Sequence, residues 1–405
     1  ICQETCPLHL DVRGYIGLIA DGKFDEALAL IREKLPFPGV IGHICPHPCE
    51  EKCNRGSQDE PLSIRGLKRF VADYELRKLG KPKVPAKAAV REERVAIIGA
   101  GPAGLTSAHD LAQLGYGVTI FEALPVPGGM LAVGIPEYRL PKEILQKEID
   151  IVRTLGVEIK TNTPIGKDLT IDDLFRQGYK AIFIGVGAQQ SQKLGIPGEN
   201  ARGVVHGVDF LRDLNLGREV WVGEKVAIIG GGNVAIDTGR SALRLGANEV
   251  SILYRRSRQE MPASDEEIEA AEIEGIEIQY LVAPVEVLTN DGRVKGLRCT
   301  QMELGEPDAS GRRRPVPIAG SEFDIELNMI IPAIGQATDL SFLGNSSGIE
   351  TTRRSNLVID PETLTTTRPA IFAGGDAVTG PATAIEAIAW GKRAAVSIAK
   401  YLKRG

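Results

Sequence analysis

The chain carries one short motif twice. Gly99-Ala100-Gly101-Pro102-Ala103-Gly104 is the first copy and Gly230-Gly231-Gly232-Asn233-Val234-Ala235 the second. Each follows an apolar run that reads as a buried strand, 95–98 and 226–229, and each opens a stretch with helical spacing. A helix start offers unpaired backbone N–H groups and a partial positive charge, so a pyrophosphate is its expected guest. Glycine is needed because a Cβ would keep the phosphate and the neighbouring strand away. Residues 94–122 read as strand, glycine turn, helix ending near Leu114-Gly115, and second strand; residues 225–254 repeat the pattern with one additional residue before the second strand. An internal repeat of this kind restricts the chain to an α/β fold with two nucleotide-binding domains of Rossmann type.

The two copies end on opposite charges. The first reaches Glu122 about 20 residues past its turn, where a carboxylate can accept from the ribose hydroxyls of an ADP moiety and repels a 2′-phosphate. The second reaches Tyr254-Arg255-Arg256, and guanidinium groups there favour the dianionic 2′-phosphate of NADP over NAD. Further on, Gly374-Gly375-Asp376 follows an apolar strand and precedes a helix expected over 384–402. Asp376 is placed to accept from a ribityl hydroxyl of FAD, with the helix start near Thr383 aimed at the flavin ring. FAD on the first copy and NADP(H) on the second suit hydride transfer between a nicotinamide and a flavin.

At 405 residues, two or three domains are expected. The apolar strands at 181–184 and 329–332, each followed by a glycine turn, read as matched exits from the two nucleotide domains. Hence the second domain is expected to be inserted into the first: 1–88 helical, 89–215 with 325–405 binding FAD, and 216–324 binding NAD(P)H. A 43% hydrophobic, 25% charged chain is globular, and a net charge of −5 gives no reason to expect nucleic acid. No apolar stretch approaches the ~18 residues of a membrane span. The first residues are polar and do not read as a signal peptide, so a cytoplasmic protein is expected. The chain opens on Ile1 rather than Met, which leaves room for residues upstream.

Five of the six cysteines fall in the first stretch: Cys2, Cys6, Cys45, Cys49 and Cys53. Helices are expected around 15–19, 27–31 and 64–79, with Pro36-Phe37-Pro38-Gly39 and a proline-containing loop bearing Cys45, Cys49 and Cys53 between them. Such a cluster suits metal rather than disulfides, and thiolate softness allows either zinc or iron–sulfur. A flavin nearby favours the latter, because it can split a hydride pair into single electrons that a cluster accepts. Cys6-Pro7 agrees with iron–sulfur loops. His43 and His47 read as loop residues, and Cys299 as a small core residue.

Together these motifs resemble the small (β) subunit of NADPH-dependent glutamate synthase, and the likeness extends to the N-terminal half of dihydropyrimidine dehydrogenase and to flavin subunits of bifurcating transhydrogenases. It rests also on Ile64-Arg65-Gly66-Leu67-Lys68-Arg69, Gly128-Gly129-Met130-Leu131, the run from Gly134 to Pro141, Met261-Pro262-Ala263 and Ala373-Gly374-Gly375-Asp376. The resemblance implies a glutathione/thioredoxin-reductase-like pair of nucleotide domains behind a small all-α iron–sulfur domain. It implies FAD, NADP(H) and a [4Fe–4S] cluster, with Gly129, Leu131 and Arg139 along the FAD, and Ala333 and Gly335 near the nicotinamide nucleotide. Cys6, Cys45 and Cys49 are expected in one cluster, with Cys2 and Cys53 either completing it or belonging to a second cluster fed by residues upstream. Two departures stand out: Ile41 replaces a cysteine of many relatives, and Lys68 stands where some have a side-chain oxygen ligand.

The expected function is an electron-input flavoprotein subunit. It would oxidise NADPH and pass single electrons to a larger catalytic or electron-accepting subunit of glutamate synthase type. Alternatives are the flavin subunit of a transhydrogenase, hydrogenase, ferredoxin or formate dehydrogenase system, and a zinc-stapled nucleotide-binding scaffold. A disulfide reductase would need a cysteine pair in the nucleotide domains, where Cys299 stands alone. No side chain is expected to act as general acid or base.

Overall fold

The computed structural model describes residues 1–308, 311–344 and 348–403. Its contacts divide the chain into two compact units. The first comprises residues 1–132, 137–189 and 337 onward; the second comprises 133–136 and 190–336.

In the first unit a five-stranded parallel sheet runs in the order Ile371–Ala373, Tyr179–Ile184, Arg94–Ile98, Gly117–Phe121, Glu158–Lys160. Its central strands are buried on both faces, which explains continuous apolar runs such as Val95-Ala96-Ile97-Ile98 in place of alternation. The chain leaves after Tyr179–Ile184 and returns to pair Ile371 with Ile182 in that same sheet, so the second unit is inserted in the first. The long helix Ala384–Leu402 packs on Pro102–Gln113, the helix opened by the first glycine turn. Gly391 makes this approach possible: a Cβ there would lie 2.3 Å from the Ala103 carbonyl oxygen.

The N-terminal helices belong to this first unit. Val12–Ala20, Phe24–Arg32 and Ile64–Leu79 form where helical spacing predicts them. The stretch from Pro38, expected as part of a connection, is instead the helix Pro38–Ile44, with proline at its first position, where a missing N–H costs nothing. The buried Glu148, from helix Lys142–Thr154, accepts from the N–H groups of Gly39 (2.7 Å) and Val40 (2.9 Å) and so caps this helix from the nucleotide-binding part. The half-buried Arg32 forks onto the buried Glu75 with bonds of 2.7 and 2.6 Å.

The second unit repeats the design. Its parallel sheet runs Met329–Pro332, Lys225–Ile229, Glu249–Tyr254, Glu277–Tyr280. An antiparallel sheet of Val282–Asn290, Arg293–Pro307, Arg313–Pro317 and Phe323–Glu326 is added to it in sequence. The main segment of this unit runs from 190 to 336 where 216–324 is expected, because Arg202 and Val204 bridge to Arg293 and Ile330 and so join the connecting segment to its sheets. Cys299 is fully buried in its core, and burial pushes its thiol up to about 12.

Candidate functional site

Both glycine turns obey the same steric rule. Gly99 has φ +101° and a Cβ there would lie 2.5 Å from the carbonyl oxygen of Gly185, just past the neighbouring strand. Gly230 has φ +144° and a Cβ there would lie 2.3 Å from the carbonyl oxygen of Ala333, in the equivalent place. The exits noticed in the sequence are therefore what the turns are pressed against. Ala333 abuts the second turn for this reason, while Gly335, φ +132°, lies exposed two residues on, beside the Gln192 side chain.

In the first unit, Gly101 caps helix Pro102–Gln113, and a Cβ on it would meet nothing within 4 Å, so the helix start is open to a phosphate. Gly104 is closed: its Cβ would sit 2.0 Å from the Gly99 carbonyl, so helix and strand pack as closely as backbone permits. The Gly128-Gly129 loop lies over the turn, with Gly128 N–H donating to the Ala100 carbonyl at 2.8 Å and a Cβ on Gly129 reaching 2.8 Å from Gly101 Cα. A Cβ on Gly375, φ +69°, would lie 3.3 Å from the Ala103 Cβ. Residues 129, 375 and 101–103, far apart in sequence, thus meet around one helix start. Leu131 is buried just after the loop, and its carbonyl accepts from Lys142 at 3.4 Å; Arg139 is half-buried.

Glu122 is buried and already employed. One carboxylate oxygen accepts from Ala100 N–H at 2.7 Å and the other from Leu124 N–H at 2.8 Å. It therefore braces the turn, and each oxygen keeps a lone pair for a ribose hydroxyl. Burial pushes its carboxyl up, against the pull of these amides. Asp376 sits in the first turn of Asp376–Thr379, behind Gly375. Burial pushes it up to about 7, with the Ala382 N–H drawing it down and Glu386 adding repulsion. Thr383 caps Ala384–Leu402 and closes a capping box with Glu386, whose carboxylate takes the Thr383 hydroxyl at 2.6 Å.

In the second unit Gly232 caps helix Asn233–Arg244, with only Pro262 near its open face, at 3.9 Å. Asn233 and Val234 supply the first N–H groups, which no intrahelical carbonyl can reach. The Met261-Pro262-Ala263 segment is tied over the turn, Ala263 N–H donating to the Gly231 carbonyl at 3.1 Å. Where the first copy has Glu122, the second has the Tyr254 ring against Gly231, its hydroxyl donating to the Glu260 carbonyl at 2.6 Å.

The two arginines that follow do not act alike. Arg255 is exposed. Arg256 is buried, donating to the Arg313 carbonyl at 2.8 Å and pairing with Asp308 at 2.7 Å. The expectation of two phosphate-facing guanidinium groups is thus corrected: Arg256 holds the added antiparallel strands, and Arg255 is the guanidinium left to solvent.

Four cysteines lie close enough to Tyr15 for their charges to act on its hydroxyl. Cys6, Cys45 and Cys49 are buried and Cys2 half-buried. Beyond burial itself, the charges that push the Tyr15 hydroxyl up are those of Cys49, Cys6, Cys2 and Cys45. Burial also pushes up Cys45, and Cys49 to about 12, so iron would have to displace protons to bind. Cys53 has other surroundings: the backbone of Leu62, then of Arg55 and Gly56, holds its thiol below the usual range. His47 adopts a left-handed backbone, φ +44°, that turns its N–H onto the Cys45 sulfur at 3.4 Å; His43 bonds the Gly39 carbonyl at 2.8 Å within its own helix. Ile41, in place of a relative's cysteine, is fully buried in the helical core.

This pocket fits a cluster. The Tyr15 hydroxyl is wholly buried yet has no hydrogen-bond partner among the described residues, which leaves a donor waiting for an acceptor. No three His, Cys, Asp or Glu side chains among the described residues form a single-ion site. A four-iron cube spreads its sulfur ligands farther apart than one tetrahedral ion does.

Residues 93–391 match the family described as pyridine nucleotide-disulphide oxidoreductase, and residues 1–79 the domain described as dihydropyrimidine dehydrogenase domain II, 4Fe-4S cluster. The chain is 52% identical to the NADP(+)-dependent formate dehydrogenase subunit beta of Moorella thermoacetica, covering 100% of this chain and 60% of that one. It is 44% identical to the NADPH-Fe(3+) oxidoreductase subunit beta of Geobacter sulfurreducens, covering 100% and 64%. Thus it spans less than two thirds of the length of either. It is 34% identical to the glutamate synthase [NADPH] small chain of Escherichia coli, covering 99% and 88%. Among solved structures, Mycobacterium tuberculosis FprA in complex with NADPH superposes at TM-score 0.65 over 78% of this chain and 85% of that one, at 20% identity. The thioredoxin reductase of T. acidophilum does so at 0.60 over 77% and 99%, at 22% identity. At such identities it is the fold that is shared.

Proposed function

Because the chain belongs to the pyridine nucleotide-disulphide oxidoreductase family, with a dihydropyrimidine dehydrogenase-type 4Fe–4S domain in front, we propose that it is the electron-exchanging flavoprotein part of a larger redox enzyme, linking NADP(H) to a partner's acceptor one electron at a time. The observation that carries this reading is the convergence of Cys2, Cys6, Cys45 and Cys49 on the orphaned Tyr15 hydroxyl, within the unit that holds the Gly99 turn.

When bound, FAD exchanges a hydride with the nicotinamide and single electrons with the 4Fe–4S cluster. The chain's residues supply placement. Gly101, Pro102, Ala103 and Gly104 offer the helix start to the FAD pyrophosphate, and Glu122 holds both the turn and a ribose. Gly129 and Leu131 wall the cofactor, with Arg139 beside them. Gly375 lets Asp376 reach the ribityl chain, and Thr383 sets the helix start behind it. Gly231, Gly232, Asn233 and Val234 hold the NADP(H) pyrophosphate, Arg255 the 2′-phosphate, and Ala333 and Gly335 border the nicotinamide end. Cys2, Cys6, Cys45 and Cys49 ligate the cluster, and Cys53 stays outside it. A cytoplasmic location goes with this reading, since thiolate ligands need reduced cysteines.

Two partners remain in view, a glutamate synthase large subunit and a formate dehydrogenase. The higher identity to a formate dehydrogenase beta subunit than to a glutamate synthase small chain supports the second. Electrons would then enter through the cluster and leave as hydride to NADP⁺. The test is purification of the native complex: formate-driven NADP⁺ reduction by the co-purifying assembly supports this partner, and glutamine-dependent NADPH oxidation in its place contradicts it. Iron and acid-labile sulfide in the isolated chain separate both from a zinc-stapled scaffold.

A further inference from the structure

Helix Pro38–Ile44 leads straight into the cysteine loop, with Cys45 as its C-terminal cap. Its N-terminus has no cap of its own. Phe37, in the capping position, offers no side-chain acceptor, Pro38 has no N–H, and the Ile41 N–H reaches the Phe37 carbonyl at 3.1 Å. That leaves the N–H groups of Gly39 and Val40 in the first turn, and one carboxylate takes both. Glu148, 2% exposed, accepts from Gly39 at 2.7 Å through one oxygen and from Val40 at 2.9 Å through the other. An apolar side chain would fill the same space and leave two buried amides without acceptors.

Close packing fixes this short helix in place. A Cβ on Gly39 would lie 3.0 Å from Glu148 Oε1 and 3.2 Å from Ile144 Cγ2, so glycine lets helix Lys142–Thr154 come within reach. A Cβ on Gly42 would lie 2.8 Å from Arg69 Cα, so helix Ile64–Leu79 packs as closely one turn further on. Helix Lys142–Thr154 is in turn seated on the loop that covers the first glycine turn. Leu145, three residues before Glu148, is buried, with its Cδ2 3.1 Å from where a Cβ on Gly128 would sit. Lys142 donates to the Leu131 carbonyl at 3.4 Å, and Gly128 N–H to the Ala100 carbonyl at 2.8 Å. A continuous line of contacts therefore runs from the Gly99 turn through Gly128, Leu145 and Glu148 to Gly39, Val40 and the helix that ends at Cys45.

We propose that Glu148 is a positioning residue for electron exchange: by holding the start of the helix that ends at Cys45, it sets the place of the cysteine loop relative to the flavin turn. This rests on the electron-exchange reading above. In the step concerned, one electron leaves reduced FAD and enters the oxidised 4Fe–4S cluster. The flavin is oxidised by one electron, the cluster is reduced by one, and no covalent bond forms or breaks. The rate of such a step falls steeply as the gap between donor and acceptor widens, whereas hydride exchange with the nicotinamide does not involve the cysteine loop. Glu148 ligates nothing and acts through the Gly39 and Val40 amides.

The full chain, loaded with FAD, iron and sulfide, tests this by rapid mixing with NADPH. Flavin bleaching is followed by absorbance and cluster reduction by freeze-quench electron paramagnetic resonance. Glu148→Ala is expected to keep its iron and the parent bleaching rate while cluster reduction slows on the order of tenfold or more. Glu148→Gln, whose one carbonyl oxygen can serve only part of the pair, is expected to fall between the two. Amide hydrogen exchange on the same samples is a second readout: Gly39 and Val40 should lose protection in Glu148→Ala while helix Ile64–Leu79 keeps it. Loaded Glu148→Ala protein with the parent rate of cluster reduction overturns the proposal, and so does equal slowing of both phases, the mark of general structural damage. Should Glu148→Ala fail to load, Glu148→Gln decides by the same two phases, and failure of both to load overturns a positioning role. A parent chain whose cluster NADPH does not reduce contradicts the electron-exchange reading itself, which is a different result.

Discussion

At the residue level, opposite ends of one repeated motif would separate the two nucleotides of the proposed function. Glu122 and Arg255 occupy neighbouring positions of corresponding strands, yet one completes a backbone-braced carboxylate site and the other offers a cation. Arg255→Ala is expected to raise the KM for NADPH on the order of 10- to 100-fold, the worth of one charge-assisted phosphate contact, with little change for NADH. Steady-state kinetics with both nucleotides checks this; equal effects contradict it. Arg256→Ala is expected to act on stability, by about 1–3 kcal/mol, because it strips Asp308 and the Arg313 carbonyl of their buried donor. Chemical denaturation of the two variants separates the roles. The difference was not legible in the sequence, since adjacent arginines look alike until Asp308, 52 residues away, claims one of them. Gly99 and Gly230 were legible, because their positive φ and missing Cβ leave no other residue type a way to fit.

Elements were legible in proportion to their periodicity. Ile64–Leu79 and Ala384–Leu402 carry long amphipathic patterns and form as expected. Pro38–Ile44 was missed because it has only seven residues, contains two glycines and gets its cap from Glu148, 109 residues from Gly39. That cap carries a pH dependence. Burial raises the Glu148 carboxyl to about 7, opposed by the Val40 and Gly39 amides and by Arg32, with Glu75 adding repulsion. A raised carboxyl favours folding while protonated. Its contribution is complete below the unfolded value near 4.5 and is lost as pH rises through about 7, on the order of 3 kcal/mol in all. Glu148→Gln should flatten the stability of the helical domain between pH 5 and 8, read by denaturation at several pH values; an unchanged slope contradicts this. The Arg240–Glu274–Arg244 cluster has the opposite sign. Hydrogen bonding from Arg244 leads in holding Glu274 at about 2, so its partly exposed contribution is present above 4.5 and fades only in strong acid. Packing is tested by Gly391→Ala. The new methyl meets the Ala103 carbonyl, and the resulting shift of the Gly101 helix start should cost about 1–3 kcal/mol and weaken flavin retention. Val396→Ala, on the exposed face of the same helix, should leave flavin content unchanged.

At the scale of the whole chain, the sequence showed an inserted second domain because its two strand exits repeat, and the sheet pairings of Tyr179–Ile184 and Met329–Pro332 follow that repeat. The cluster pocket was only partly legible. Spacing brought out five cysteines, but which four of them act on the Tyr15 hydroxyl depends on the tertiary fold, and no local pattern encodes that. The expected consequence is a division among serine variants. Cys45→Ser or Cys49→Ser should lose iron while NADPH still bleaches the flavin, whereas Cys53→Ser should keep its iron, as read by iron and sulfide analysis. The most direct test of the central claim is anaerobic titration of the FAD- and iron-loaded chain with NADPH, followed by visible absorbance and low-temperature electron paramagnetic resonance. The account predicts that the flavin absorbance bleaches and a reduced 4Fe–4S signal grows with added NADPH. A chain that retains no flavin, or a bleached flavin beside an intact cluster that stays oxidised, would contradict it.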